Sequence, residues 1–407
     1  MRCAAFIFAL LLMGFVSEAA TWNVIKVGGR RYVPISDVAK FYRLGEDKSD
    51  RKTFKLSAEG REIRGTTGGR DLYINGVKYV LCFPMESRNG EVYLSAMDVT
   101  KIIEPVLRPG KIKDAERIKT IVLDAGHGGH DSGATGPLGL EKAYALDVVL
   151  RARELLLKDG YDVKLTRSKD VFVPLQERAN FANKHDNALF FSVHFNKSSS
   201  SAATGIETYA LAPRGVPSMD EENLSYSDFK ENPGNAQDPQ NVALAAAVHS
   251  AMVNNLQVPD RGIKRARFVV IKNIKIPGVL LEGGFMGSTR DAKLIASGEY
   301  RQKMAASILQ AVRAFTRSVN GRVESAPPTL IVKGDDPTSV PSLETVEKTK
   351  KGPAVITPPE GIEPRPRPKV EKNKTPSAKE VAPTPVPPEP AAVPTPSMEK
   401  MKVDKWW

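Results

Sequence analysis

Between residues 117 and 320, short apolar runs alternate with amphipathic stretches. The strand candidates are KTIVLDA, YDVKLTR, NALFFSVHF, GIETYAL, FVVIKN and PGVLLEGGF. The stretch EKAYALDVVLRARELLLKDG, which begins at Glu141, has the spacing of an amphipathic helix. This alternation predicts an α/β domain with a mostly parallel sheet and helices on both faces.

Residues 21–113 show a different pattern, in which a short strand runs into a short helix. RYVPISDVAKF, from Arg31, and VYLSAMDVTKI, from Val92, repeat this order with an aspartate near each predicted helix start. Between them, LYINGVKYVLCF predicts a hairpin that turns at Asn75 and Gly76. We expect a small α+β domain, and its loose motifs resemble the copper amine oxidase N-terminal-like domain. A binding or spacing role is expected, because the segment carries no catalytic constellation.

The two ends of the chain differ in composition from these segments. Residues 1–19 combine a single arginine with an apolar run and a small-x-small site, which predicts a cleaved secretory signal, with an uncleaved anchor as the alternative. Residues 322–407 are rich in proline and poor in aromatic side chains, so we expect a disordered spacer. Its final Trp406 and Trp407 suit a short docking element or an untethered apolar terminus equally well.

The net charge and the cysteine content restrict the cellular compartment and the classes of binding partner that are compatible with the sequence. The formal net charge of +12 is unchanged when Arg2 and Glu18 leave with the signal. In an exported chain this surplus favours an anionic polymer or membrane surface as partner, rather than nucleic acid. Only Cys82 remains after cleavage, so no intramolecular disulfide forms. We expect an exported monomer without a later membrane span, in a periplasm rather than outside the cell.

Two histidines and two glutamates lie at element ends within the α/β segment. His127 lies in the glycine turn DAGHGG after the first strand, and Glu141 opens the first long helix. His194 ends one apolar strand, and Glu282 closes another, where a carboxylate needs a partner or a function. Each has a structural explanation on its own, such as the helix dipole for Glu141. Because carboxyl ends of parallel strands meet at one edge, we expect all of them to converge there.

A zinc ion with three protein ligands and one open position suits such a cluster. In this hypothesis His127, Glu141 and His194 hold Zn²⁺, and Glu282 moves a proton from water to a leaving nitrogen. The chain has no HExxH helix, so the common metalloprotease arrangement is excluded. A nucleotide-binding glycine turn is disfavoured, because Asp131 stands where the GxGxxG pattern needs glycine.

The chain resembles the zinc-dependent N-acetylmuramoyl-L-alanine amidases of bacterial cell walls in the segments IVLDAGHGGHDSGA, GLEKAYALDVVLRARELL, VKLTRSKDVFVPLQERANFAN, FFSVHFN and IPGVLLEGGF. The resemblance covers residues 117–320. It implies a phosphorylase/hydrolase-like fold, a zinc cofactor, and hydrolysis of the amide between N-acetylmuramic acid and L-alanine in peptidoglycan. It also implies that Asn196 lies near the substrate, although Asn196 suits a strand-end cap as well. The ligands and the catalytic carboxylate it implies are those named above.

Other polar residues of the segment receive structural interpretations. Arg167 and Arg178 are expected in an ion pair or on a helix face. His130, His185 and His249 are expected at the surface or just outside the ligand set, the last two of them on helices.

Residues 211–240 form a long polar connection that is rich in turn formers. They follow the strand GIETYAL, whose carboxyl end we expect to face the metal. A mobile lid or a wall of the substrate groove is favoured over a blocking helix, because proline and glycine interrupt the segment.

Two further functional hypotheses stay open beside the amidase. Another zinc-dependent wall hydrolase, a peptidase or a deacetylase, would use the same metal site. A non-catalytic wall-binding protein would lack Glu282 or a ligand, and the chain retains them all. The amidase hypothesis is compatible with wall remodelling and with cell separation, with or without an activating protein.

Removal of residues 322–407 is expected to leave hydrolysis of soluble muropeptides unchanged, because the segment is too polar to contribute a core. Rates of the full and truncated chains on soluble fragments and on intact walls test this, and we expect a change on walls alone. A truncated chain that fails to fold would show that the spacer interpretation is wrong.

Overall fold

The structure, a computed structural model, describes residues 20–47, 52–112, 117–198, 200–219, 224–320 and 330–331. The predicted signal 1–19 lies outside the described residues. So does the predicted spacer 322–407, apart from a two-residue strand, Leu330–Ile331, which pairs in parallel with Ala20–Thr21.

The strands, numbered in chain order, are β1 (Ala20–Thr21), β2 (Ile25–Val27), β3 (Arg30–Pro34), β4 (Gly45–Asp47), β5 (Thr53–Ala58), β6 (Arg61–Thr66), β7 (Asp71–Ile74), β8 (Val77–Val80), β9 (Glu86–Arg88), β10 (Glu91–Ser95), β11 (Thr120–Ala125), β12 (Thr135–Gly136), β13 (Gly139–Leu140), β14 (Asp162–Leu165), β15 (Ala188–Asn196), β16 (Ile206–Leu211), β17 (Asp260–Ala266), β18 (Gly278–Phe285) and β19 (Leu330–Ile331). The α-helices are α1 (Ile35–Tyr42), α2 (Ala96–Asp98), α3 (Glu104–Leu107), α4 (Glu141–Lys158), α5 (Leu175–Ala182), α6 (Asp238–Leu256), α7 (Val269–Lys272), α8 (Thr289–Ala296) and α9 (Gly298–Asn320). A π-helical turn, Val99–Ile103, joins α2 to α3, and short 3₁₀ turns span Pro109–Lys111, Tyr226–Phe229 and Pro233–Gln237.

The sheet of the α/β segment has the strand order β14-β11-β15-β18-β16-β17. Alternate residues of its central strands enter two cores. In β15, Leu189 and Phe191 belong to the core that also contains residues of α4, α6 and α9. Phe190, between them, packs into the core that contains residues of α5 and α7. Burial on both faces explains why these strands are continuous apolar runs. The prediction of a mostly parallel sheet with helices on both faces is confirmed.

The direction of β16 differs from the prediction. It pairs antiparallel with β18, although β14, β11, β15 and β18 are mutually parallel. The connection 197–205 explains this reversal, because a parallel crossover needs about a dozen residues or more. The strand therefore starts at the edge where β15 ends.

The reversal places the carboxyl end of β16, where the connection 211–240 begins, beside the amino end of β18. The described part of this connection packs near the amino end of β18, where Asn241 accepts a hydrogen bond from the backbone N of Gly278 over 2.8 Å and donates to the carbonyl of Gly234 over 3.1 Å. The expectation that the carboxyl end of β16 faces the metal is therefore wrong. A lid or a groove wall formed by 211–240 stays a prediction, because residues 220–223 lie outside the described residues. A sequence pattern of this kind carries no information on strand direction.

The segment FVVIKN does not form the predicted strand. β17 ends at Ala266, and Val269–Lys272 form the short helix α7. Val270 and Ile271 are buried in the second core. Periodicity alone does not separate a short buried helix from a short buried strand, which accounts for the error.

The small N-terminal region has the strand and helix order predicted from its two similar segments. β3 is followed by α1, and β10 is followed by α2. The hairpin of β7 and β8 turns at Asn75 and Gly76, both with positive φ, as a tight two-residue turn requires. Its sheet does not end at the region's boundary. β8 pairs with β17 through Tyr79 and Ile263, so strands of both regions form a single eleven-stranded sheet.

A buried ion pair lies at this junction. Nη1 of Arg265 donates to Asp238 over 2.8 Å and to the carbonyl of Leu211 over 2.9 Å. Nη2 donates to the carbonyl of Lys101, in the N-terminal region, over 2.6 Å. Arg265 and Asp238 are both almost completely buried. This arginine therefore ties the two regions together.

Arg265→Met is expected to lower the free energy of unfolding by about 3 kcal/mol, because it leaves the buried Asp238 carboxylate without its main partner. Urea unfolding followed by circular dichroism measures the change. Arg265→Met combined with Asp238→Leu should recover much of the loss, and Arg153→Met, at an exposed position of α4, is the matched control. An equal loss in the control and the single variant would contradict the assigned role.

Candidate metal centre

His127 lies in a tight turn that follows β11. Its φ of 59° falls in the left-handed region, which is uncommon for a residue with a side chain. Nη2 of Arg178 donates to the carbonyl of His127 over 2.7 Å, and the Asp131 carboxylate lies 2.8 Å from Nδ1 of the ring. The backbone and one ring nitrogen are thus held, and Nε2 lies 3.1 Å from Oε1 of Glu141.

Glu141 is the first residue of α4 and is buried. Its Oε2 accepts a hydrogen bond from the backbone N of Ala134 over 2.7 Å. Its Oε1 lies between two imidazoles, 3.1 Å from Nε2 of His127 and 2.9 Å from Nδ1 of His194. The helix start therefore places one carboxylate oxygen between both histidines.

Two glycines make room for this approach. A Cβ atom at Gly126 would overlap the ring of His194, and one at Gly133 would lie 2.5 Å from Oε2 of Glu141. Gly133 also has a φ of 66°, which glycine adopts without strain. The glycine-rich turn serves close packing around the imidazoles and the carboxylate.

The donor atoms of His127, Glu141 and His194 all lie within 4.8 Å of one another. In the described ranges of the chain, this is the one group of three or more His, Cys, Asp or Glu residues found with that spacing. Two imidazole nitrogens and one carboxylate oxygen form a donor set typical of zinc sites with an open position. The contact of Asp131 with Nδ1 of His127 is the kind of outer hydrogen bond that orients a ligating imidazole. These residues therefore fit a zinc ion.

The charge of Glu141 is stabilised by its neighbours. Burial by itself would raise the pKa of the carboxyl, but hydrogen bonds and charge interactions with His127 and His194 outweigh it and hold the pKa far below its ordinary value. The carboxylate is therefore ionised at neutral pH, as a metal ligand requires.

Glu282 lies on β18 directly beside His194 on β15, as its partner in the parallel register. The residue is half-buried, but its Oε2 is inaccessible and has no hydrogen-bond partner among the described residues. Burial, followed by the charges of Glu141 and Glu207, raises the pKa of this carboxyl well above its usual range, against the opposing charge of Lys264. The convergence predicted for the two histidines and the two glutamates is therefore present.

Glu207, on β16, is a site residue that sequence reasoning missed. The antiparallel pairing of β16 and β18 places it directly beside Glu282. The side chain is buried. A carboxylate within the apolar strand GIETYAL is the same signal that identified Glu282, and it could have marked Glu207 as well.

Asn196 is two residues beyond His194, where the register of β15 against β18 shifts. Its Nδ2 donates to Oε2 of Glu207 over 2.9 Å. The substrate-binding role of Asn196 stays a prediction.

The ion pair expected for the two arginines is present for Arg178. Its Nη1 lies 2.8 Å from Oδ1 of Asp124, and both side chains are almost completely buried. Arg167 instead donates to backbone carbonyls, from Nε to Ala125 over 2.9 Å and from Nη2 to Gly126 over 2.7 Å. Both arginines therefore hold the backbone that leads into the His127 turn.

The three remaining histidines have different surroundings. His130 is exposed, as predicted, whereas His185 lies beyond the end of α5 and not on a helix. His249 is on α6 as predicted, but it is fully buried between Oγ1 of Thr208 and Oδ1 of Asp260, each 2.8 Å away. The expectation that His249 lies at the surface or near the ligands is wrong, because α6 is covered by the sheet and by α9.

Comparison with known proteins identifies relatives of this segment. The family model described as N-acetylmuramoyl-L-alanine amidase matches residues 121–314. The N-acetylmuramoyl-L-alanine amidase AmiA of Escherichia coli K12 is 31% identical over 227 residues, which cover 50% of this chain and 78% of that protein. The N-acetylmuramoyl-L-alanine amidase LytC of Bacillus subtilis is 35% identical over 199 residues, which cover 49% of this chain and 36% of that protein.

Among solved structures, the N-acetylmuramoyl-L-alanine amidase AmiC2 of Nostoc punctiforme is similar to this chain at 31% sequence identity and a TM-score of 0.39, covering 49% of this chain and 94% of that one. The catalytic domain of the amidase CwlV from Paenibacillus polymyxa has 29% identity and a TM-score of 0.40, covering 48% of this chain and 96% of that one.

Arg178→Lys is expected to weaken zinc binding about tenfold or more, because an ammonium group cannot contact Asp124 and the carbonyls of Ala125 and His127 together. Competition with a chromogenic chelator measures the zinc dissociation constant. Arg153→Lys, at an exposed site, is the control. Equal zinc affinity of both variants would mean that the arginine does not position His127.

Proposed function

This chain belongs to the N-acetylmuramoyl-L-alanine amidase family, and from that premise we propose that it hydrolyses the amide between N-acetylmuramic acid and L-alanine in peptidoglycan, with a zinc ion held by His127, Glu141 and His194. Glu282 is the proposed catalytic carboxylate. Asn196, beside Glu207, is the proposed substrate contact.

The observation that supports this proposal is the juxtaposition of a metal-binding donor set and an unpartnered carboxyl. The donor atoms of His127, Glu141 and His194 lie within 4.8 Å of one another. Glu282 is the register neighbour of His194, and its Oε2 has no hydrogen-bond partner among the described residues. A buried polar atom without a partner is costly, which favours a functional role for it.

The chain's own residues divide the reaction between them. A bound zinc ion supplies Lewis acidity, which polarises an amide carbonyl and lowers the pKa of water to about 7. Oε2 of Glu282 is free to accept a proton from the attacking water and later to donate it to the nitrogen of L-alanine. In this proposal the carboxyl holds the proton until the leaving nitrogen takes it.

The proposed setting is the cell wall outside the cytoplasm. Residues 1–19 have the composition of an export signal, and the net charge of +12 suits an anionic polymer. We place the chain in a periplasm, where it acts in wall remodelling or cell separation. None of the described helices combines the length and apolar character that crossing a membrane requires.

Glu282→Gln is expected to keep its zinc and to lose activity by at least about 100-fold, because the amide cannot accept the proton. Metal content by mass spectrometry and release of muropeptides together measure this. Glu154→Gln, at an exposed position of α4, is the control. Full activity of the Glu282 variant would contradict the assigned base.

His127→Ala and His194→Ala are expected to lose both zinc and activity, because each removes a ligand. Treatment with a chelator should silence the unmutated chain, and added zinc should restore it. The products distinguish the amidase from the alternative wall hydrolases, because only the amidase releases stem peptides with a free L-alanine amine. Products that retain muramic acid joined to L-alanine would exclude the proposed reaction.

A further inference from the structure

The carboxylate of Glu207 is surrounded by hydrogen-bond donors. Oε1 accepts from Nε of Arg261 over 2.7 Å and from Nζ of Lys264 over 2.6 Å. Oε2 accepts from Nδ2 of Asn196 over 2.9 Å and from the hydroxyl of Tyr209 over 2.7 Å. This set satisfies the acceptor capacity of an ionised carboxylate, which has about four lone-pair sites.

Two cations thus face a single negative charge. Lys264 is the more buried of the two, with 13% of its side chain exposed against 41% for Arg261. Lys264 is thus the inner partner of Glu207, and Arg261 is a second, more exposed cation beside the same carboxylate. A purely structural ion pair does not require this second cation.

Arg261 also retains unused donors. Its hydrogen bond to Glu207 uses Nε, and neither terminal nitrogen has a hydrogen-bond partner among the described residues. The guanidinium carbon lies over the ring of Phe285, 4.9 Å from its centroid, which gives the group a second contact besides Glu207. A guanidinium held in this way presents two parallel N–H groups, the geometry that a carboxylate binds.

The strand order places this arginine on one flank of the proposed catalytic centre. His127 follows β11, His194 is on β15 and Glu282 is on β18. Arg261 is on β17, beyond β16. Phe285, under the guanidinium, is three residues beyond Glu282 at the end of β18. A substrate cleaved beside Glu282 can therefore reach Arg261 with the part that extends over β16.

We infer that Arg261 binds a carboxylate of the peptide stem and thereby selects stems whose side-chain or terminal carboxyl groups are free. The inference rests on the proposed amidase function. A glycan strand offers hydroxyl and N-acetyl groups, whereas the stem offers carboxylates, which match the charge and the planar geometry of a guanidinium. The stem accordingly lies over β16 and β17, and the glycan lies on the side of β11.

The experiment compares two synthetic probes, N-acetylmuramoyl-L-alanyl-D-glutamate and its diamide, which differ only in charge. Binding is measured by calorimetry to zinc-loaded Glu282→Gln, in which turnover is blocked. We expect the carboxylate probe to bind about tenfold more tightly, the magnitude of a charge-assisted hydrogen-bond pair at a partly exposed site. Introducing Arg261→Gln into the Glu282→Gln chain should remove this preference for the carboxylate probe. Introducing Arg261→Lys instead should retain part of the preference.

Arg153→Gln in the same background is the matched control and should leave the preference unchanged. Equal affinity for both probes, or no binding of either, would overturn the inference. Equal weakening of both probes by Arg261→Gln would also overturn it, because a structural role of Arg261 would affect them alike.

Turnover by the chain with Glu282 intact separates this inference from the function on which it rests. In that chain the preference should appear in KM and not in kcat, because the contact is remote from the reacting atoms. Charge-selective binding without any cleavage would refute the amidase proposal and leave the role of Arg261 standing. Cleavage without a preference for the charged probe would support the amidase proposal and refute the role of Arg261.

Discussion

A buried carboxylate at the start of α4 is the constraint on which the site depends. Glu141 loses most of its hydration on folding, and its carboxylate contacts two imidazoles, one in the turn after β11 and one on β15. This compensation requires β11 and β15 to end at the same edge of the sheet and α4 to begin there. The parallel strands β11 and β15, with α4 packed against both, meet that requirement. As a result, a single oxygen atom, Oε1 of Glu141, contacts both His127 and His194.

The turn that carries His127 is stabilised by a network of buried hydrogen bonds. Its left-handed backbone is unfavourable for a residue with a side chain, so neighbouring groups must stabilise it. Arg178 contacts the carbonyl of His127 and the buried carboxylate of Asp124, and Asp124 is bound in turn by Ser192 on β15. The same network therefore links the turn to the strand that carries His194, and the positions of the two imidazoles depend on each other.

From β15 to β17, the side chains at this edge of the sheet change from an imidazole to two carboxyl groups and then to two cations. His194, Glu282 and Glu207 lie in register on β15, β18 and β16, and the cations Arg261 and Lys264 follow on β17. Both cations contact Glu207, and neither forms an ion pair with Glu282. Oε2 of Glu282 is left without a hydrogen-bond partner among the described residues, between His194 on one side and the cations of β17 on the other.

Local sequence determined most strands of the α/β segment, the helix that begins at Glu141, the hairpin at Asn75 and Gly76, and four residues that converge on the site, His127, Glu141, His194 and Glu282. Periodicity, turn chemistry and a charged group in an apolar run are all properties of short segments. Only the tertiary structure decided the direction of β16, the position of Glu207 beside Glu282, the sheet edge at which the connection 211–240 begins, and the sheet that continues from β17 into β8. These features follow from the length of a connection and from pairing between strands that are distant in the chain. Hydrophobic periodicity is the same in a strand of either direction, so no segment taken by itself could have specified them.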